Sequence, residues 1–381
     1  MKLVIEREPF MNAIQNVMKA ISPKTTIPIL SGIKIETFND HIKLTGSDSD
    51  ITIESIIPVE ENGVINIHEL TPGKLIIQAR FLPEIIRKLP HNEVKIESDE
   101  EFNILIQSGS VEFNLNGQDA EEYPIIPKVT TENSFYLPIN LLKTLIRQTN
   151  FAVSVSETRP ILTGVNFNLE DEHLELVATD SHRLATKKIK LNSNADGLSF
   201  NNVVIPGKSL SELYKILEDT DDNIQISVTN NQILFQTNHL LFLSRLLEGN
   251  YPDTSRLIPE QSKTDIKVKV NELISAIDRA SLLAKDNRNN IVKLDTKENS
   301  TIQITSHSPE IGTVEELLVT DSIEGEPLNI SFNAKYMIDA LRAINSEQVV
   351  INFTGSMRPF VIRPIEEDEN ILQLVTPVRT Y

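Results

Sequence analysis

Two periods of apolar residues alternate along the chain. Spacing of three and four residues, the signature of an amphipathic helix, occurs from Phe10 to Ile21, where Ile14, Val17, Met18 and Ile21 share a stripe, from Leu141 to Ser154, and from Glu272 to Arg288. A second set runs from Phe81 to Pro90, Lys208 to Asp219 and Asn333 to Ile344. Between the helices lie short segments of strict alternation, such as Ile51-Thr52-Ile53-Glu54-Ser55-Ile56 and Val111-Glu112-Phe113-Asn114-Leu115, bounded by Gly, Asn, Asp or Pro. The pattern predicts two helices on antiparallel strands, three times over. That is an α+β arrangement, not the strand–helix alternation of a nucleotide-binding sheet.

Internal repeats support the threefold reading. Thr26-Ile27-Pro28-Ile29-Leu30-Ser31-Gly32-Ile33 returns 132 residues later as Thr158-Arg159-Pro160-Ile161-Leu162-Thr163-Gly164-Val165, and Gly46-Ser47-Asp48-Ser49-Asp50 returns at the same offset as Ala178-Thr179-Asp180-Ser181-His182. Tyr123-Pro124 and Tyr251-Pro252 repeat at an offset of 128. A fainter third copy places Ser306-His307-Ser308-Pro309-Glu310 where the Asp-containing segment belongs. Polar, proline-led stretches at 127–133 and 259–263 read as linkers and divide the chain into 1–128, 129–258 and 259–381.

Charge then refines the picture. The 381 residues carry 36 basic and 54 acidic side chains, a net charge of −18, which disfavours general nucleic-acid binding. The distribution is uneven. The six predicted helices hold twelve basic and eight acidic residues, +4, and the remaining chain carries −22. The opening helices of the first two repeats read as free of acids, and Lys143 and Arg147, four apart, share a polar stripe. Two readings fit: ordinary variation between solvated helix faces, or a mildly basic helical surface that meets phosphates inside an acidic body.

Cysteine is absent, which excludes disulfides and thiolate chemistry and fits a reducing compartment. The charged start, Met1-Lys2-Leu3-Val4-Ile5-Glu6-Arg7-Glu8, does not read as a signal peptide, and no apolar run approaches membrane-spanning length, so a cytoplasmic protein without membrane contact is expected. Gly207-Lys208-Ser209 lacks the first glycine of a phosphate loop, Asn202 standing there, and reads as a helix N-terminus capped by Ser209. Asp180-Ser181-His182 holds triad residue types, but neighbours in an extended segment face opposite ways. A hydrolase using His182 therefore rests on residue types alone. Asp48-Ser49-Asp50 reads as a structural turn before a cation site, and Glu366-Glu367-Asp368-Glu369 as a hairpin tip. No catalytic residue, metal or cofactor is expected.

The chain resembles the bacterial sliding clamps, the β subunits of the replicative DNA polymerase III holoenzyme. The likeness spans its whole length and rests on Thr26-Ile27-Pro28-Ile29-Leu30, Ala178-Thr179-Asp180-Ser181-His182-Arg183-Leu184-Ala185, Gly249-Asn250-Tyr251-Pro252-Asp253 and Pro377-Val378-Arg379. The resemblance implies three DNA-clamp domains per chain and a head-to-tail homodimer ring whose helices line a hole around duplex DNA. It implies a processivity factor without enzymatic activity, active at the nucleoid. Implied partners are the replicative polymerase catalytic subunit, the clamp loader, and translesion polymerases, mismatch-repair proteins and DNA ligase, which dock through short peptides. An acidic protein-binding scaffold that does not encircle DNA is the alternative, supported by the −18 charge.

By resemblance, the peptide pocket comprises Leu162, Thr179, His182, Arg183 and Leu184 of the second repeat with Pro252, Arg256 and Leu257. The third repeat adds Met357, Pro359, Leu374, Pro377, Val378 and Arg379. Apolar members accept side chains, and Arg and His hold polar ends of the peptide; Met357 is able to repack around different ligands. Thr376 and Thr380 replace apolar family residues, so pocket depth is open. Lys24 matches a DNA-contacting residue of the family, Lys143 and Arg147 join it from their stripe, and Ser156 stands where other members carry a contacting glutamine. The dimer seam is expected where Phe113 and Leu115 meet Leu282 and Leu283 of the other chain.

Overall fold

A computed structural model of the chain describes residues 1–126, 134–191, 197–284, 290–365 and 370–379. The linker at 127–133, the acidic tip at 366–369, Thr380, and Lys285, Asp286 and Arg288 of the third opening helix lie outside the described residues.

All six predicted helices form, with shifted ends: α1 (Arg7–Met18), α2 (Leu82–Lys88), α3 (Ile139–Thr149), α4 (Gly207–Ile216), α5 (Val270–Ala284) and α6 (Ala334–Ile344). Helix α1 starts directly after the strand Lys2–Glu6 and takes Glu8 into its first turn, where negative charge suits the helix dipole. The first opening helix therefore does carry an acid, against expectation, and Lys19 falls to its C-cap. Helix α3 is acid-free as read. It gives way to the 3₁₀ turn Asn150–Ala152 where Thr149 leaves helical geometry (φ −124°), and Asn150 Nδ2 donates to Gly207 O (3.0 Å). Helix α4 begins at Gly207, so Ser209 lies buried inside its first turn and is not the cap. With the observed ends, the six helices hold ten basic and six acidic residues, still +4.

The contacts group the chain into two units, Met1–Asn140 with Glu212–Leu246, and Leu141–Ser211 with Leu247–Tyr381. The second repeat is thus divided between them. In the first unit, an eight-stranded antiparallel sheet runs Ser134–Pro138, Asn223–Val228, Gln232–Gln236, Leu240–Arg245, Ile51–Pro58, His41–Ser47, Gly32–Thr37, Gly73–Gln78. First and second repeats join at Leu240–Arg245 against Ile51–Pro58, with Thr52 opposite Leu243. A five-stranded sheet in the same unit ends on Val111–Asn116.

The second unit repeats this plan one repeat later. Its nine-stranded sheet places Arg183–Lys190 of the second repeat against Ile371–Val375 of the third, with Leu184 opposite Leu374. A four-stranded sheet ends on Gly312–Val319. Two sheets are therefore shared between successive repeats, and two are confined to a single repeat, with Val111–Asn116 and Gly312–Val319 among their edge strands.

Helices bury one stripe each. Phe10, Ala13, Ile14 and Val17 of α1 are buried, as are Leu273, Ala276, Ile277 and Ala280 of α5. Close packing shows at Gly46, where a Cβ would stand 2.4 Å from the Val17 carbonyl oxygen. Asn333 Oδ1 caps α6 by accepting the Tyr336 amide (3.2 Å), and Asn345 closes it in the left-handed conformation, φ 57°.

Candidate peptide-binding site

The Asp-containing segments form matching hairpin turns. Each leaves a strand, passes a serine in the left-handed region (Ser49 φ 81°, Ser181 φ 78°) and enters the next strand. Asp48 Oδ1 accepts the amides of Asp50 (3.1 Å) and Ile51 (2.8 Å); Asp180 Oδ1 accepts those of His182 (2.9 Å) and Arg183 (3.0 Å). Both aspartates spend a carboxylate oxygen on the turn, the structural reading given to Asp48-Ser49-Asp50. Among the described residues, no group of His, Asp and Glu is arranged to hold a metal ion.

All fourteen predicted pocket residues belong to the second unit. Its apolar floor is a small buried cluster of Val177, Leu184, Val361, Leu372 and Leu374, on which Tyr251 and Ile258 pack. Antiparallel pairing of Arg183–Lys190 with Ile371–Val375 brings Leu184 to Leu374. Thr376 then donates both its amide and its Oγ1 to the His182 carbonyl, each at 2.9 Å, and the Val378 amide reaches Ser331 O at 2.8 Å. The polar replacement at Thr376 thus pins the terminal segment, so that Pro377 and Val378 stay half-buried. Met357 and Leu257, 55% and 49% exposed, offer apolar surface near the ends of elements that reach this floor. Pro252 and Arg256 are exposed and Pro359 is half-buried.

Two members take other roles. Arg183 is only 8% exposed: its Nε bonds Asp180 (3.0 Å), its NH1 bonds Asp339 (2.8 Å), and its guanidinium lies 4.6 Å from the Tyr336 ring centre and 5.3 Å from that of Phe151. Two of its N–H donors are committed inside the protein and its guanidinium is buried against two rings, so it serves as a post for the turn. Leu162 is buried in the 3₁₀ turn Pro160–Thr163 and is not part of the floor cluster. The exposed polar groups are His182, whose ring stacks with Tyr336 at 6.3 Å, Arg256 and Arg379.

Sequence reading missed Tyr251, although the repeated Tyr-Pro pair flagged it. Its hydroxyl accepts the Thr179 amide at 2.9 Å, tying the Tyr251 segment to the turn, and burial pushes its pKa up. Asn202, at φ 57°, holds the same segment by accepting the Tyr251 amide (2.7 Å) and donating to Gly249 O (2.7 Å).

The other predicted residues are placed separately. Lys24 is exposed in the loop before the first 3₁₀ turn, in the first unit. Lys143 and Arg147 lie on α3. Ser156 is exposed in a loop, its Oγ 3.0 Å from Thr158 Oγ1. Phe113 and Leu115 sit half-buried on the edge strand Val111–Asn116, where they alternate with exposed Glu112, Asn114 and Asn116. Leu282 is 61% exposed on α5 and Leu283 half-buried. The edge strand Gly312–Val319 exposes Leu317 (67%) and Val319 (69%), a surface the sequence pattern left unremarked.

Three mixed helix-and-sheet domains in series, with sheets shared between neighbours, define a DNA-clamp protein. The descriptions "DNA polymerase III beta subunit, N-terminal domain", "central domain" and "C-terminal domain" match residues 1–127, 136–253 and 255–379. The chain is 53% identical over 383 residues to the beta sliding clamp of Bacillus subtilis, with both chains fully covered. The crystal structure of the DNA polymerase sliding clamp from Bacillus subtilis superposes with a TM-score of 0.96 at 53% identity, and the DNA polymerase III beta chain of Streptococcus pneumoniae with 0.93 at 42%, each over 100% of both chains. The chain belongs to the β-subunit family of DNA polymerase III, the bacterial sliding clamps, which are non-catalytic processivity factors of DNA replication.

Proposed function

We propose that two copies of this chain join head to tail into a ring around duplex DNA, with domains 1–128, 129–258 and 259–381 in each. Two edge strands carry this reading. Five strands ending on Val111–Asn116 and four ending on Gly312–Val319 would together build a nine-stranded sheet, like the sheets that already join successive repeats. Phe113 and Leu115 on one chain would meet Leu282 and Leu283 of its partner, and Leu317 and Val319 add apolar surface to the same edge.

Retention by topology requires few contacts with DNA, since each phosphate contact adds salt dependence and friction. Lys24, Lys143 and Arg147 face the DNA in this account, and a helical charge of +4 inside a body of −22 suits weak, sequence-independent contact. Proteins dock by short peptides at the Leu184–Leu374 floor beside the Asp180 turn. The replicative polymerase, the clamp loader, translesion polymerases, mismatch-repair proteins and DNA ligase would share this site, at the nucleoid in the cytoplasm. No helix among the described residues is long and apolar enough to cross a membrane.

Sedimentation equilibrium tests the ring. The expected mass is about twice 42.9 kDa; a single-subunit mass under all loading conditions would overturn the proposal.

A further inference from the structure

The first unit contains a cavity of about 240 Å³ lined by Leu30, Tyr123, Pro124, Ile126, Leu243 and Arg245, among others. It occupies the place at the junction of the first and second repeats that the peptide floor occupies at the junction of the second and third. The offset of 132 equates Leu30 with Leu162, Ser47 with Thr179, Asp50 with His182 and Thr52 with Leu184, and the offset of 128 equates Tyr123-Pro124 with Tyr251-Pro252. Strand pairing equates Leu243 with Leu374, because Leu243 opposes Thr52 as Leu374 opposes Leu184. The bonding recurs too: the Arg245 amide donates to Asp50 O at 2.9 Å, as the Thr376 amide does to His182 O at 2.9 Å. Ser47 Oγ donates to Ile51 O (3.1 Å), as Thr179 Oγ1 does to Arg183 O (2.6 Å).

The copies differ in ways that point to a ligand. Tyr251 has the Thr179 amide on its hydroxyl, whereas the Tyr123 hydroxyl is buried and no hydrogen bond closes on it, although the Ser47 amide faces it. Ile125, on the cavity wall, is 95% exposed. Where the peptide floor has Thr376 of the third repeat, the cavity has exposed Arg245 of the second, which forms no ion pair with a carboxylate among the described residues. Arg245 is the one cation among the lining residues and Asp50 the one carboxylate, and with no ion pair between them the guanidinium is open to an acidic neighbour of an apolar side chain seated against Leu30, Ile126 and Leu243. The volume lies between the 150 Å³ or so that holds a benzene and the 300 Å³ or more of a drug-sized site, which is room for one or two side chains.

We propose that this cavity is a second docking site for an extended segment of a partner protein, taking one large apolar side chain, with an Asp or Glu beside it on Arg245. The inference rests on reading the Leu184–Leu374 floor as a peptide site, whose scaffold it repeats.

Photo-crosslinking separates the two. The probe is acetyl-leucyl-photoleucyl-aspartyl amide, irradiated with the full-length protein, and adducts are mapped by mass spectrometry. Adducts on residues 123–126 and 243–245 are expected, with yield falling at least fivefold in Arg245→Glu and, in the unchanged protein, with the asparaginyl probe. Adducts confined to the Leu257 and Met357 segments, or a yield at 123–126 and 243–245 indifferent to both changes, would overturn the proposal. Adducts at 123–126 and 243–245 without any near Met357 would support this cavity while removing the peptide reading of the other.

Discussion

Arg183 grips Asp180 twice within one turn: its backbone amide donates to Oδ1 and its Nε to Oδ2, both at 3.0 Å. Its NH1 continues to Asp339 on α6, so one buried guanidinium joins a hairpin of the second repeat to a helix of the third. Arg183→Ala would leave both carboxylates without this cation and is expected to cost about 3 kcal/mol of stability. Urea unfolding checks it; a loss below about 1 kcal/mol would show the pair to be incidental.

Exposed members of the pocket behave differently. Leu257→Ala and Met357→Ala should each weaken a docked peptide roughly tenfold, yet move stability by no more than about 0.5 kcal/mol, since both side chains stand half in water. Fluorescence anisotropy of a labelled partner peptide provides the readout.

Gly46 and Ala178 occupy equivalent places, and a Cβ at Gly46 would stand against the Val17 carbonyl of α1. Gly46→Ala should destabilise by about 2 kcal/mol, because the added Cβ meets backbone that cannot step aside. Ala178→Gly should cost about 1 kcal/mol or more, through backbone entropy and the loss of a buried methyl group. Paired urea unfolding curves compare them.

Acid sensitivity has an identifiable contributor. Burial by itself would raise the Glu36 carboxyl, but Lys34 at 3.0 Å and Lys43 at 3.2 Å outweigh it and hold its pKa below the ordinary 4.5. A depressed carboxylate stabilises the fold above its unfolded pKa, and that contribution disappears as pH falls through the folded value. Glu36→Gln should therefore be less stable than the parent near pH 7 and converge with it at an acid pH below the folded pKa of Glu36. Unfolding curves at both pH values test the sign.

Much of this was legible in the sequence, for reasons that differ by element. The helices were found because a buried stripe such as Phe10, Ile14 and Val17 imposes its spacing directly. Their ends were not, since α1 begins where the strand Lys2–Glu6 happens to stop and α3 ends where Thr149 leaves helical geometry. Repetition exposed the turns of Asp48 and Asp180, whose bonding is local. The role of Arg183 was hidden, because Asp339 and Tyr336, which consume its guanidinium, lie more than 150 residues away. Leu317 and Val319 were hidden for the converse reason: an outward face on an edge strand alternates just as a core face does.

Encirclement itself is tested most directly on nicked circular DNA loaded with the protein and passed through a gel-filtration column. Retention on the intact circle, followed by release when a single cut linearises it, is the predicted result. Dissociation from the uncut circle, or retention indifferent to the cut, would contradict the ring.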